Sequence, residues 1–259
     1  MPELPEVEVA ARVLRAAAQG RTIRSLRLLH PSLARRVSSA DCASLVGRRV
    51  TAVERRGKHQ LLHLDDGRAL HAHFRMTGDW TLVAAGGALP RYARAVLEFD
   101  DGSALALDDS RALATLAVHA AADDALPALG PEADDPALDA TTLRAALRAR
   151  RAPIKTVLLD QRVVAGLGNI YAAEALWRAR IDPRTAASSL SAARVSRLLD
   201  AVRAVLERAM AAPGRYQDGA SAPLDVYGRE GEPCRRCGAK VRRVVQGGRS
   251  TYFCARCQR

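Results

Sequence analysis

Between residues 21 and 118, apolar and polar positions alternate in short runs: RTIRSLRLLH, RRVTAVERRG, HQLLHLDDG, RALHAHFRM, DWTLVAA, RAVLEFDDG and SALALDD. That two-residue period, broken by the turn pairs Asp66-Gly67 and Asp101-Gly102, predicts antiparallel hairpins closed into a sandwich or barrel. A helical pattern precedes them, in MPELPEVEVAARVLRAAA. From 137 to 212 the spacing changes to three and four, in TTLRAALRARR, PIKTVLLDQR, NIYAAEALWRAR and SSLSAARVSRLLDAVRAVLERAM, which predicts helices punctuated by Pro153, Gly166, Gly168, Pro183 and Pro213. The Ala-, Asp- and Pro-rich stretch 121–136 holds neither period and reads as a linker. The chain is therefore expected to be α+β and multidomain: a β-sandwich domain with its leading helix over 1–120, the linker 121–136, a helical domain over 137–215, and a small final unit over 224–259.

That last unit is too short to bury a core of its own, and its cysteines supply the alternative. Cys234-Arg-Arg-Cys237 and Cys254-Ala-Arg-Cys257 stand sixteen residues apart, the spacing of a four-cysteine zinc ribbon. Two disulfides are the competing reading, and a cytosolic chain disfavours them. Four thiolates leave a tetrahedral ion no open position, so one structural Zn2+ is expected. Cys42 is isolated and reads as a small buried side chain.

Lys and Arg outnumber Asp and Glu 40 to 28, for a net charge of +12 and a pI near 10.3, which makes a polyanion the partner to test. Aromatics are only 4% of the chain, too few for the stacked platforms of single-strand binders, so duplex DNA is favoured. No run approaches the ~20 apolar residues of a membrane helix, and the acidic opening is no secretory signal, so a cytoplasmic protein is expected; a monomer is expected as well.

The opening carries chemistry of its own. Removal of Met1 would leave Pro2 as a secondary α-amine, a group whose reference pKa of about 8 leaves part of it neutral near pH 7. Such an amine forms an iminium with an aldehyde, an electron sink of the Schiff-base kind. Glu3 beside it, and Glu6 one turn on, are positioned in sequence to move protons. Alone, the same residues also suit an ordinary helix start, with a fixed φ and acids at the positive end of the dipole.

MPELPEVE, RRGKHQLL, GLGNIYAAEALW and the terminal cysteines, in this order, resemble the formamidopyrimidine-DNA glycosylase family, and the endonuclease VIII group shares that architecture. The resemblance implies a helix–two-turn–helix domain in the middle and a β-hairpin zinc finger at the end. It further implies removal of oxidised bases (8-oxoguanine, formamidopyrimidines) from duplex DNA and nicking by β,δ-elimination at abasic sites, in a bacterial cytoplasm at the nucleoid. By the same resemblance Pro2, Glu3, Glu6 and Lys58 are catalytic, Lys155, Asn169 and Arg249 contact backbone phosphate, and Met76 wedges into the duplex as the base is extruded. Asn169 also opens a helix whose free amides would suit an anion.

Two stretches depart from the family. Where it has Asp-Pro-Arg-Arg-Phe-Gly, this chain has Asp108-Asp109-Ser110-Arg111-Ala112-Leu113. Ser110 replaces the arginine that faces the orphaned base and Ala112 the wedge phenylalanine, which leaves Arg111 to probe by a local shift and Leu113 to wedge. The segment PGRYQDGASAPLDVYGREGEPC is also short for a loop that closes over 8-oxoguanine. Weakened opposite-base selectivity and a shifted lesion preference are expected. The competing readings are a non-catalytic damaged-DNA binding paralogue and an enzyme acting mainly on abasic sites or oxidised pyrimidines.

Overall fold

The opening helix α1 (Leu4–Ala18) begins two residues after Pro2, and Pro5 falls in its first turn, where a missing N–H costs no bond. In the computed structural model the described residues are 1–212 and 223–259. They form two units, Met1–Pro2 with Glu6–Pro127 and Glu3–Pro5 with Ala128–Arg259.

In the first unit α1 is followed by β1 (Ile23–Leu28), two short helices α2 (Pro31–Ala34) and α3 (Ser39–Ser44), then β2 (Val50–Arg56), β3 (His59–Leu64), β4 (Ala69–His73), β5 (Asp79–Val83), β6 (Ala93–Phe99), β7 (Ala104–Asp108) and β8 (Thr115–His119). Two four-stranded antiparallel sheets result, β1-β6-β7-β5 and β2-β3-β4-β8. Their inner faces share one core: Leu62, Leu70 and Phe74 from one sheet, Leu97, Phe99 and Leu107 from the other, with Val7, Ala10 and Leu14 of α1. Each large apolar side chain fully removed from water there contributes about 1.5–3 kcal/mol. Cys42 is half-buried and packs on this core's edge.

Three elements here were not expected from the sequence. Both α2 and α3 are too short to show a period; each is set by its cap, His30 accepting from the Ser32 amide, and Ser38 with Asp41 forming a reciprocal capping box. The strand β8 follows an irregular loop with no turn pair to mark its start.

The second unit contains α4 (Ala140–Arg148), α5 (Ile154–Leu158), α6 (Asn169–Arg178), a 3-10 turn (Ala187–Ser189), α7 (Ala192–Met210), and the hairpin β9 (Arg242–Gln246) and β10 (Arg249–Phe253). Leu4, Ile154, Leu158, Leu176, Leu198 and Val202 are among its core residues. A second cluster joins Ala173 and Trp177 of α6 to Val226, Val241, Cys234 and Cys254. The stretch read as a linker is not uniform. Its early part carries the 3-10 turn Ala122–Ala125, while Gly130 and Ala133 donate backbone bonds to Gln161 (2.9 Å) and Ala165 (3.1 Å). The short loop that ends the helical segment lies partly in residues 213–222, outside the described residues.

Candidate functional site

In the first unit Pro2, Glu6 and Lys58 are all buried, an unusual state for two charged side chains that marks them off from ordinary surface residues. Lys58 sits in the tight β2–β3 turn, next to Gly57. Met76 is 36% exposed, an apolar tip left in solvent at the end of β4.

The loop after β7 is organised by one carboxylate. Asp109 is fully buried, and it accepts from the Leu113 (2.6 Å), Ala114 (2.7 Å) and Arg111 (3.1 Å) amides and from the Thr77 hydroxyl. Arg94 braces the same loop from outside, donating to the Asp109 and Ser110 carbonyls. The loop turns through a left-handed Ala112, φ 52°, and leaves Arg111 and Leu113 exposed.

In the second unit Glu3 is the central group. Its carboxylate accepts from the Ile170 amide (2.9 Å) and the Tyr171 amide (3.2 Å), two N–H groups in the first turn of α6. Gly168, the residue before that helix, offers no cap of its own, and a Cβ there would lie 2.2 Å from the Glu3 Cδ. Gly166, at φ +94°, is likewise crowded by Leu4, whose amide donates to its carbonyl at 3.1 Å. The glycines of Gly-Leu-Gly-Asn therefore make room for residues 3 and 4. The helix-start amides expected to await an external anion are taken by the protein's own carboxylate.

Asn169 and Lys155 both turn toward the zinc-ribbon hairpin. Asn169 Nδ2 donates to the Ser250 carbonyl (3.0 Å) and to the Tyr227 hydroxyl (3.4 Å), and its Oδ1 is buried without a partner among the described residues. Lys155 is fully buried, where a direct phosphate contact would call for an accessible ammonium; its Nζ donates to the Ser250 carbonyl (3.0 Å) and the Thr251 hydroxyl (2.6 Å). Burial, then repulsion from Arg249, bring its pKa down to about 8 against a smaller opposing pull from Glu3. Arg249 itself is exposed at the start of β10. The turn before it is Gly247-Gly248, with φ of 54° and 73°, closing the Gln246–Arg249 pair by a two-residue loop that requires left-handed backbone at both positions.

The cysteine sulfurs of Cys234, Cys237, Cys254 and Cys257 lie within 4.8 Å of one another, Cys237 and Cys254 at 3.6 Å. Four sulfurs about 2.3 Å from one ion stand about 3.8 Å apart, so this cluster fits one tetrahedral Zn2+. No disulfide joins them. Burial pushes the Cys234 thiol up, but bonds from the Trp177 indole and from the Arg236 and Cys237 amides outweigh it and bring it down to about 6, toward the thiolate a metal needs.

One residue of this unit escaped the sequence reading. Glu174 is buried on α6 and accepts from the Asp225 (2.8 Å), Val226 (2.9 Å) and Tyr227 (2.9 Å) amides, while burial raises its pKa. Its signal was a lone charge inside the apolar run IYAAEALW.

Three family models match the chain in succession. Residues 1–116 match the formamidopyrimidine-DNA glycosylase N-terminal domain, 129–218 its H2TH domain, and 231–259 a zinc finger found in FPG and IleRS. The chain is 41% identical to a formamidopyrimidine-DNA glycosylase of Novosphingobium aromaticivorans over the full length of both, and 43% identical to one of Moorella thermoacetica, covering 94% of each. Among solved structures, the Lactococcus lactis enzyme complexed with DNA containing FAPY-dG superposes with a TM-score of 0.89 at 32% identity, over 99% of this chain and 100% of that one. A complex of MutM with DNA containing carbocyclic 8-oxo-G gives 0.88 at 32% identity, over all of both chains. Since three domain models match in order and relatives align end to end, the chain belongs to the formamidopyrimidine-DNA glycosylase family.

Proposed function

We propose that the protein is a base-excision repair DNA glycosylase for oxidised purines in duplex DNA that also cleaves at the abasic site, with the Pro2 amine as nucleophile. The supporting observation is the placement of Glu3: the acid that follows Pro2 in the chain is fixed by two backbone amides, in a space that exists because residue 168 has no side chain. A group held by backbone bonds keeps its position through a proton transfer, which is what general acid–base catalysis asks of it.

In this reading the Pro2 nitrogen attacks C1′ as the bond from C1′ to the damaged base breaks. Glu3 carries protons during opening of the sugar, giving an iminium between Pro2 and C1′. The iminium takes up the electron pair released at C2′, so the 3′ phosphate leaves and then the 5′ phosphate, by β- and δ-elimination. Glu6 and Lys58 serve the same centre. Arg249 grips backbone phosphate, while Asn169 and Lys155 hold the Ser250 carbonyl and so the hairpin that presents it. The zinc holds the hairpin in shape and takes no part in the chemistry. Met76 fills the gap left by the extruded base.

Borohydride reduction on abasic-site duplex DNA tests the nucleophile. The chain with free Pro2 is expected to form a stable covalent complex and the chain retaining Met1 none. Binding without trapping would establish instead a damaged-DNA binding protein. The loop at 109–114 supports a second element: with Ser110 and Ala112 where the family has arginine and phenylalanine, and Arg111 and Leu113 exposed, discrimination of the base opposite the lesion is weak. Similar single-turnover rates with 8-oxoguanine opposite each of the four bases are expected; a strong preference for cytosine would refute it.

A further inference from the structure

The glycosylase reading leaves Glu174 without a task. It stands on α6 inside the run Ile170–Trp177, every member of which is buried, and it is the only acid of that helix. Burying a carboxylate is costly unless hydrogen bonds replace its water. Here three consecutive amides do so: Asp225 (2.8 Å), Val226 (2.9 Å) and Tyr227 (2.9 Å) all donate to it. Successive N–H groups turned to one point make the concavity in which backbone holds an anion, and here the anion is part of the chain.

The stretch 225–227 has no helix or strand to hold it. Arg208 and Arg229 donate to the Pro223 (2.6 Å) and Asp225 (2.7 Å) carbonyls, which fixes its approach. Val226 is buried in a cluster with Ala173 and Trp177, but apolar packing has no direction and leaves the peptide planes free to turn. The carboxylate sets that direction, and with it the side chain of Tyr227. The Tyr227 hydroxyl accepts from Asn169 Nδ2 (3.4 Å), the same nitrogen that donates to the Ser250 carbonyl (3.0 Å). Its ring meets that of Tyr252 edge to face, with centroids 5.1 Å apart. Ser250 and Tyr252 follow Arg249 on β10.

We propose that Glu174 is a positioning residue for phosphate binding. By fixing the peptide planes at 225–227 it places Tyr227 against Asn169 and Tyr252, and these hold the end of the hairpin that presents Arg249. Glu174 is itself buried and acts only through them. Both ends of the brace lie on α6, so the helix fixes the separation of Asn169 and Glu174 along its axis at about 7.5 Å. That role rests on the proposed grip of Arg249 on backbone phosphate.

The test is a double-mutant cycle on the full, zinc-loaded chain, read as affinity for duplex DNA with an uncleavable abasic-site analogue at several salt concentrations. Arg249→Ala is expected to weaken binding about tenfold and to lower the slope of log affinity against log salt by about 1. Glu174→Gln keeps the size of the side chain but turns an NH2 group toward the amides. It should give a smaller loss and a lower slope, and no further loss once Arg249 is gone. Tyr227→Ala, which leaves the Glu174 carboxylate in place, should do the same and carries the test if Glu174→Gln does not fold. An unchanged slope would overturn the proposal, since a variant that merely destabilised the fold lowers the active fraction and not the salt dependence. So would losses that add in full to that of Arg249→Ala. If Arg249→Ala alone changed neither affinity nor slope, the phosphate grip itself would fall, and the proposal with it.

Discussion

The loop at 109–114 in the first unit and the Gly247-Gly248 turn in the second pose the same physical problem and solve it with opposite chemistry. Each is a short reversal that leaves side chains exposed and is held through bonds to its backbone. In the loop a buried carboxylate, Asp109, gathers three amides and a hydroxyl. In the hairpin a buried ammonium, Lys155, donates to the Ser250 carbonyl and the Thr251 hydroxyl, with Asn169 beside it and the four-cysteine cluster that fits a zinc ion in the same ribbon. An anion organises a turn from its N–H side, and a cation from its C=O side. The first device is local in sequence, and the second spans about a hundred residues.

Zinc removal separates the two most strongly. Structural zinc binding is worth on the order of 10–16 kcal/mol in small fingers, so chelation or Cys254→Ser should unfold the hairpin and abolish DNA affinity. The amide exchange protection of Leu113 and Ala114 should survive; loss of protection there as well would show that the loop depends on the metal too. Next in size is Asp109→Ala. Stranding three amides and a hydroxyl in a buried site is expected to cost about 3 kcal/mol or more, and Asp109→Asn roughly half, read from urea midpoints.

Lys155→Met is smaller, about 1–2 kcal/mol, because it removes a buried charge along with the bonds that the charge makes. Its pH dependence is diagnostic. With its pKa lowered to about 8, the folded chain binds fewer protons at Lys155 than the unfolded chain from about pH 8 up to lysine's ordinary 10.5. Stability from this group therefore rises with pH through that window, by at most about 1.4 kcal/mol per unit. The wild type should gain on Lys155→Met as pH is raised from 8 to 10, and parallel curves would mean that the ammonium is not desolvated.

The difference in sequence span also decides what could be read beforehand. Strand parity, helix period and the two Cys-x-x-Cys pairs are local, and they gave the β unit, the helices and the metal cluster. The chemistry proposed for residues 2, 3 and 6 rests on their spacing and on the family resemblance. What was not visible is which distant group satisfies each polar atom. Nothing local says that the amides of Ile170 and Tyr171 bind Glu3, or that Lys155 is buried under Ser250. The four- and six-residue helices α2 and α3 were missed because caps alone define them, with too few turns to show a period.

The smallest effect tests how Asp109 holds its loop. An L-residue in the left-handed region costs about 1–2 kcal/mol, and Ala112 sits there at φ 52°. Ala112→Gly removes that cost and adds about 0.5–1 kcal/mol of unfolded-chain entropy, for a net stabilisation of about 0.5 kcal/mol. The strain persists only while the Leu113 and Ala114 amides are drawn onto the Asp109 carboxylate. In an Asp109→Ala background the loop is released, residue 112 can return to ordinary φ, and glycine should then destabilise. A double-mutant cycle with a sign change at position 112 would establish that the carboxylate maintains the backbone strain; additive effects would show that the loop holds its left-handed turn without it.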